Sequence, residues 1–133
     1  MDKNAQEVSA DYSKPRYAIS EVSNMTGISA YTLRYYDKCG FFPELYRDKH
    51  NVRKFSNQDI DFLKLVDALR KSGLSIEGIQ YFVRLCLQGE KSRAEQYRIL
   101  DAQKTVLEYQ LAELQSSLEV LTVEKARREV QDR

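Results

Sequence analysis

From Ser92 to about Arg128 neither proline nor glycine interrupts the chain, and Leu100, Leu107, Leu114 and Leu121 recur every seven residues. Leu111 and Leu118 occupy the alternate seam position, four residues after a partner. This heptad spacing is that of a helix that buries one stripe against another helix. At a rise of 1.5 Å per residue the helix is roughly 50 Å long, far too long to fold back on so small a domain. The partner it calls for is the same helix of a second copy, which makes the chain a homodimer. Lys104 stands where another apolar residue belongs and marks a weak or register-setting point. The heptads do not set the direction of pairing.

The second organised region is Ser29-Ala30-Tyr31-Thr32-Leu33-Arg34-Tyr35-Tyr36-Asp37-Lys38-Cys39-Gly40. A serine cap and a closing glycine bound it as a helix. Leu33 and Tyr36 are three apart and share an inward face. Tyr31, Thr32, Arg34, Tyr35 and Lys38 then face outward, with hydroxyls and cations suited to phosphates and base edges. Upstream, Ile19–Met25 reads as a short helix capped by Ser20, and Thr26-Gly27-Ile28 as a tight turn. The pair is a helix-turn-helix, whose second helix docks in a major groove.

Pro43 stops any continuation of that helix. Leu45-Tyr46-Arg47 and Val52-Arg53-Lys54-Phe55 read as short strands around the polar turn Asp48-Lys49-His50-Asn51, a β-hairpin wing. Ser56 with Asp59 forms a capping-box variant for a helix carrying Ile60, Leu63, Val66 (or Asp67) and Leu69, ending at Gly73. A further helix starts at Leu74-Ser75-Ile76, places Ile76, Ile79, Phe82 or Val83, and Cys86 on one face, and ends at Gln88-Gly89. The fold class is therefore mainly α: a winged helix-turn-helix followed by a long dimerisation helix. The divisions expected are a disordered lead over residues 1–15, the winged domain over 16–89, the coiled coil over 90–128 and a tail over 129–133.

Net charge is only +1, so distribution matters more than sum. Between Arg16 and Ser56 seven Lys/Arg (16, 34, 38, 47, 49, 53, 54) face four acids (21, 37, 44, 48), whereas eight bases face nine acids from Glu90 onward. The basic excess is local to the helix-turn-helix and wing, where phosphate contacts would be made. No apolar run reaches the length of a membrane span, and the N-terminal residues lack the apolar core of a signal peptide. A cytoplasmic location is the expectation.

Tyr17-x-Ile19-x-Glu21-Val22, Thr26-Gly27-Ile28-Ser29 and Thr32-Leu33-Arg34-Tyr35-Tyr36-Asp37-x-x-Gly40 together resemble the MerR family of transcription regulators. Thr32-Leu33-Arg34-Tyr35-Tyr36 is the most specific part. Lys71-Ser72-Gly73-Leu74-Ser75-Ile76-Glu77 is close to the family pattern as well. The resemblance runs from Tyr17 into the coiled coil and stops before any sensor domain. It implies an antiparallel coiled coil, a wing that grips the DNA backbone through an arginine two residues before an aromatic (Arg53 and Phe55 here), and partners in promoter DNA and RNA polymerase. The DNA contacts it implies, with the outward faces read above, are Tyr17, Ser29, Tyr31, Thr32, Arg34, Tyr35, Lys38, Tyr46, Arg47, Asn51, Arg53 and Lys54. The short, thiol- or aldehyde-responsive branch is the most similar, but its usual cysteine is replaced here by the Ala68-Leu69 stretch.

Cys39 and Cys86 form no CxxC pair, so neither a zinc site nor another metal site is expected. Cys86 reads as a small buried hydrophobe; its sharper alternative is a redox or effector thiol, grouped with Tyr81, Phe82 and Tyr97 where a small-molecule inducer could act. His50 lies alone in a polar turn. Asp59 with Asp61, and Glu44 with Asp48, suit caps and solvated faces better than a catalytic carboxylate pair. Phosphate loops and nucleophile elbows are missing, so neither an enzyme nor a cofactor is expected. Two other readings stand beside the regulator: a winged-helix recombination or phage accessory protein, which the leucine repeat disfavours, and an interaction scaffold without affinity for DNA.

Overall fold

In the computed structural model, residues 10–131 are described. The elements in order are α1 (Ile19–Thr26), α2 (Ala30–Lys38), β1 (Tyr46–Arg47), β2 (Arg53–Lys54), α3 (Asn57–Lys71), α4 (Ile76–Leu87) and α5 (Arg93–Gln131), with a 3-10 turn at Gly89–Ser92 before α5. The first nine residues of the expected lead lie outside the described residues. Residues 10–13 form a helical turn, held by the Tyr12 hydroxyl donating to Asp61 Oδ2 at 2.6 Å and by an Arg16–Asp11 ion pair.

The start of α1 differs from the reading. Ser20 lies inside the helix, and Ala18 is the extended N-cap residue. Its N–H donates to Glu21 Oε1 at 3.1 Å, so a carboxylate at the third helical position does the capping that a serine side chain was expected to do. Gly27 closes α1 at φ 76°, a left-handed conformation that glycine adopts without a Cβ clash. Ser29, Ser56 and Ser75 cap α2, α3 and α4, each accepting from the N–H three residues on.

The core joins all these pieces. Val22 of α1, Leu33 and Tyr36 of α2, Phe41 and Phe42 of the following loop, Phe55 after the wing, and Ile60, Leu63, Val66 and Leu69 of α3 are buried with Ile79, Phe82 and Val83 of α4. Phe42 meets Phe55 edge-on at 5.9 Å between ring centroids. Both Phe82 and Val83 face inward, where the sequence left a choice, and Val66 rather than Asp67 carries the α3 stripe. Leu85 is buried too, off the expected face.

The wing strands are shorter than read. Tyr46 pairs with Lys54 and Arg47 with Arg53 in antiparallel register, while Leu45 and Val52 fall outside. Phe55 instead bridges to Tyr17, its N–H donating to Tyr17 O at 2.8 Å. Asn51 sits at φ 63°, and Asp48 Oδ1 accepts from His50 N–H and Val52 N–H. That side-chain turn is what Asp and Asn provide at a hairpin end.

α5 runs to Gln131, through the point where a tail was expected. Its base is stapled to the winged domain. Ser92 is buried, and its hydroxyl donates to Leu85 O. Gln96 Nε2 donates to Ser92 Oγ at 2.9 Å, and Ser72 Oγ donates to Gln103 Oε1 at 2.8 Å. Ile99 packs against the core. Beyond Leu107 every apolar residue of α5 is exposed, including Leu111, Leu114, Leu118 and Leu121. Tyr109, Val120 and Val123, which the heptad did not include, are exposed as well.

Candidate nucleic-acid interface

α2 presents its face by simple periodicity. With Leu33 and Tyr36 buried, the residues between them turn outward. Tyr31 is 81% exposed, and Arg34, Tyr35 and Lys38 are exposed beside it. Ser29 and Thr32 are committed at the helix start: Thr32 N–H donates to Ser29 Oγ at 3.1 Å, and Ser29 Oγ–H donates to Thr32 Oγ1 at 3.0 Å. The Tyr35 phenol lies against Cys39; that hydrogen bond is the main cause raising its pKa above the ordinary tyrosine value. Tyr36 is raised too, chiefly by burial, and the Arg70 guanidinium sits 5.9 Å from its ring centroid. Gln80 Nε2 donates to Cys39 O at 2.8 Å, tying α4 to the end of α2.

The wing stands beside this helix, and the joint between them is an ion pair that the sequence reading did not assign. Asp37 Oδ2 accepts from Arg47 Nη2 and from Arg53 Nε, both at 2.7 Å. The carboxylate side chain is only 11% exposed, while Arg47 and Arg53 remain 37% and 25% exposed. Arg53 is thus engaged within the chain through Nε and keeps its remaining N–H groups for an outside acceptor. The available signal was Asp37 itself, the one acid on α2, three positions from its nearest basic residue on the helix other than Lys38. Tyr46, Lys54 and Asn51 lie on the hairpin, and Tyr17 lies behind it, bridged to Phe55 and half-buried. The candidate contacts on α2 are thus joined to Arg47 and Arg53 of the wing through Asp37, while Tyr46 and Lys54, paired one position along, lie on the other face of the hairpin.

The residues proposed for an effector do not gather. Phe82 is 1% exposed and belongs to the core. Tyr81 is exposed and lines a groove of about 330 Å³ with Leu74, Gly78, Arg98 and Ile99. Cys86 lies elsewhere, in a groove of about 380 Å³ with Phe41, Phe42, Phe62 and Leu87. Burial pushes its thiol pKa up, and Sγ lies 3.9 Å from Gln96 Oε1. Tyr97 is exposed on α5. Among the described residues no cluster of His, Cys, Asp and Glu is placed to hold a metal ion, and no helix is long and apolar enough to cross a membrane.

The MerR HTH family of regulatory proteins matches residues 17–85, over half of the chain. The chain belongs to the MerR family. It is 33% identical over 105 residues to an uncharacterized HTH-type transcriptional regulator of Haemophilus influenzae, covering 79% of this chain and 78% of that one. The HTH-type regulator YyaN of Bacillus subtilis is 40% identical over 68 residues, 51% of this chain and 49% of that one. Among solved structures, HiNmlR, a MerR family regulator lacking the sensor domain and bound to promoter DNA, superposes with a TM-score of 0.73 at 33% identity, over 83% of this chain and 87% of that one. The chain is a DNA-binding transcription regulator of the MerR type.

Proposed function

We propose that this MerR-type regulator binds a palindromic promoter operator as a homodimer paired antiparallel through the α5 leucine seam, and distorts the DNA between the two polymerase-contact elements. The observation that carries the reading is the exposed tract of α2 and wing on a chain that matches, at 33% identity, a sensor-less family member bound to promoter DNA. α2 enters the major groove with Tyr31, Arg34, Tyr35 and Lys38, and the wing grips phosphates with Arg47, Arg53 and Lys54. The uncovered leucines of α5 supply the pairing that joins two reading heads.

In promoters of the family's type the spacer is too long for RNA polymerase to meet both elements. Bending and untwisting a site of that size costs about 1–6 kcal/mol, which phosphate contacts from two wings offset. The protein acts in the cytoplasm, where promoter and polymerase meet. An inducer works by binding one of two head separations more tightly than the other, at the groove between α4 and α5 that Tyr81 lines and that Cys86 and Tyr97 do not reach.

Transcription in vitro from a promoter with the long spacer, set against one shortened to ordinary length, tests the proposal. Output rises from the first and not from the second. Equal repression of both, with no distortion at the operator centre in chemical footprinting, makes the protein a simple repressor instead.

A further inference from the structure

Cross-strand register puts Arg47 directly opposite Arg53. Like charges so placed repel and loosen a two-stranded ribbon, which is already the least stable form of sheet. Here both guanidiniums turn to one oxygen, Asp37 Oδ2, at 2.7 Å each. Asp37 belongs to α2 and is mostly covered, whereas both arginines keep exposed surface. One carboxylate thus collects two cations at the seam between the groove-facing helix and the wing. It is satisfied on the inner side, and the unused N–H groups of both forks are free to point toward an acceptor outside. A phosphate is the acceptor such convergent forks suit.

We propose that Asp37 is a positioning residue for DNA: it gathers Arg47 and Arg53 into one convergent phosphate site and fixes that site against α2. This rests on the DNA-binding reading above and assigns a role to the acid within it. The two views of Asp37 predict opposite signs. On charge alone, removing an anion beside the DNA strengthens binding, because duplex affinity is dominated by the phosphate backbone. If Asp37 positions the arginines, its removal weakens binding.

The test uses the full chain and a short labelled duplex of random sequence, titrated across a range of salt. Asp37→Asn is compared with the unmodified chain, and the same substitution is made in an Arg47→Ala/Arg53→Ala background. Far-UV circular dichroism and thermal melting report the fold. Asp37→Asn is expected to lower affinity by about fivefold and make the salt slope shallower by roughly one unit. In the double-alanine background the sign reverses, and Asn binds at least as well as Asp. Asp37→Glu, which keeps the charge on a longer arm, falls between. If Asp37→Asn unfolds the chain, Asp37→Glu carries the test through its salt slope: a slope identical to the unmodified chain overturns the proposal. Tighter binding by Asp37→Asn, or equal weakening in both backgrounds, also overturns it. Failure of the unmodified chain to bind any duplex refutes the DNA-binding reading itself, a result distinct from all of these.

Discussion

Leu114 and Leu118 leave 68% and 64% of their surface open to water, on the stretch of α5 beyond its stapled base where the described apolar residues are exposed. Burying a whole leucine side chain is worth about 1.5–3 kcal/mol, so pairing can recover about 1–2 kcal/mol at each position. A Leu114→Ala/Leu118→Ala variant removes four such side chains from a two-chain assembly. The dimer should lose about 4–8 kcal/mol, which raises its dissociation constant by roughly 10³–10⁶-fold. Alanine is the better helix former, so α5 keeps its helicity and fraying does not confuse the result. Leu107 is the poorer choice: it is already partly covered within its own chain, and changing it would mix folding with pairing. Sedimentation equilibrium over a wide concentration range measures the shift, and a gel-shift assay follows DNA affinity in parallel. Two tethered heads bind a double site far more tightly than one, so both readouts fall together. A variant whose dimer dissociates less than about tenfold more readily, or an unmodified chain that is monomeric throughout, refutes the use of this seam.

Arg34→Ala is expected to relax base preference at one operator position and cost about 1–3 kcal/mol there, read by selection from a randomised duplex pool. Leu33→Ala, at a site with no exposure, should cost about 2–5 kcal/mol of folding stability in denaturant titration, since it opens a cavity beneath the reading helix. Burial holds the Cys86 thiol above the ordinary thiol range, so the reactive thiolate forms only at higher pH. Its alkylation, followed by peptide mass analysis of the folded chain, should therefore rise with pH later than in the same chain unfolded in denaturant; matching profiles would contradict the assigned burial.

Where the sequence was legible, short-range chemistry made it so. Ser29, Ser56 and Ser75 cap their helices because each precedes an apolar period and has an N–H three residues on to accept from. Gly27, Gly40 and Gly73 mark stops because each takes a positive φ. The heptad placed α5 without any tertiary information. What escaped depends on approach through space. Glu21 rather than Ser20 completes the α1 cap, because the chain enters extended at Ala18 after its bridge to Phe55. Phe55 looked like strand and became the core bridge to Tyr17, ending the wing early. Asp37 read as another polar helix residue, since nothing local says that two wing arginines, ten and sixteen positions on, will reach it. Phe82 and Cys86 shared a face on paper, yet one is sealed in the core and the other borders a surface groove.

The staples at the base of α5 have a mechanical meaning. Ser92, Gln96 and Gln103 fix the launch angle of a rod of 39 residues, about 58 Å from end to end. A rod of that length converts angle into distance: a tilt of about 3° at the root moves the far tip by ~3 Å, close to the rise of one base pair along DNA. In the proposed dimer the hydroxyl and amide groups at the root would therefore act as the bearing of a calliper, and their tolerance would limit how finely the jaws can be set.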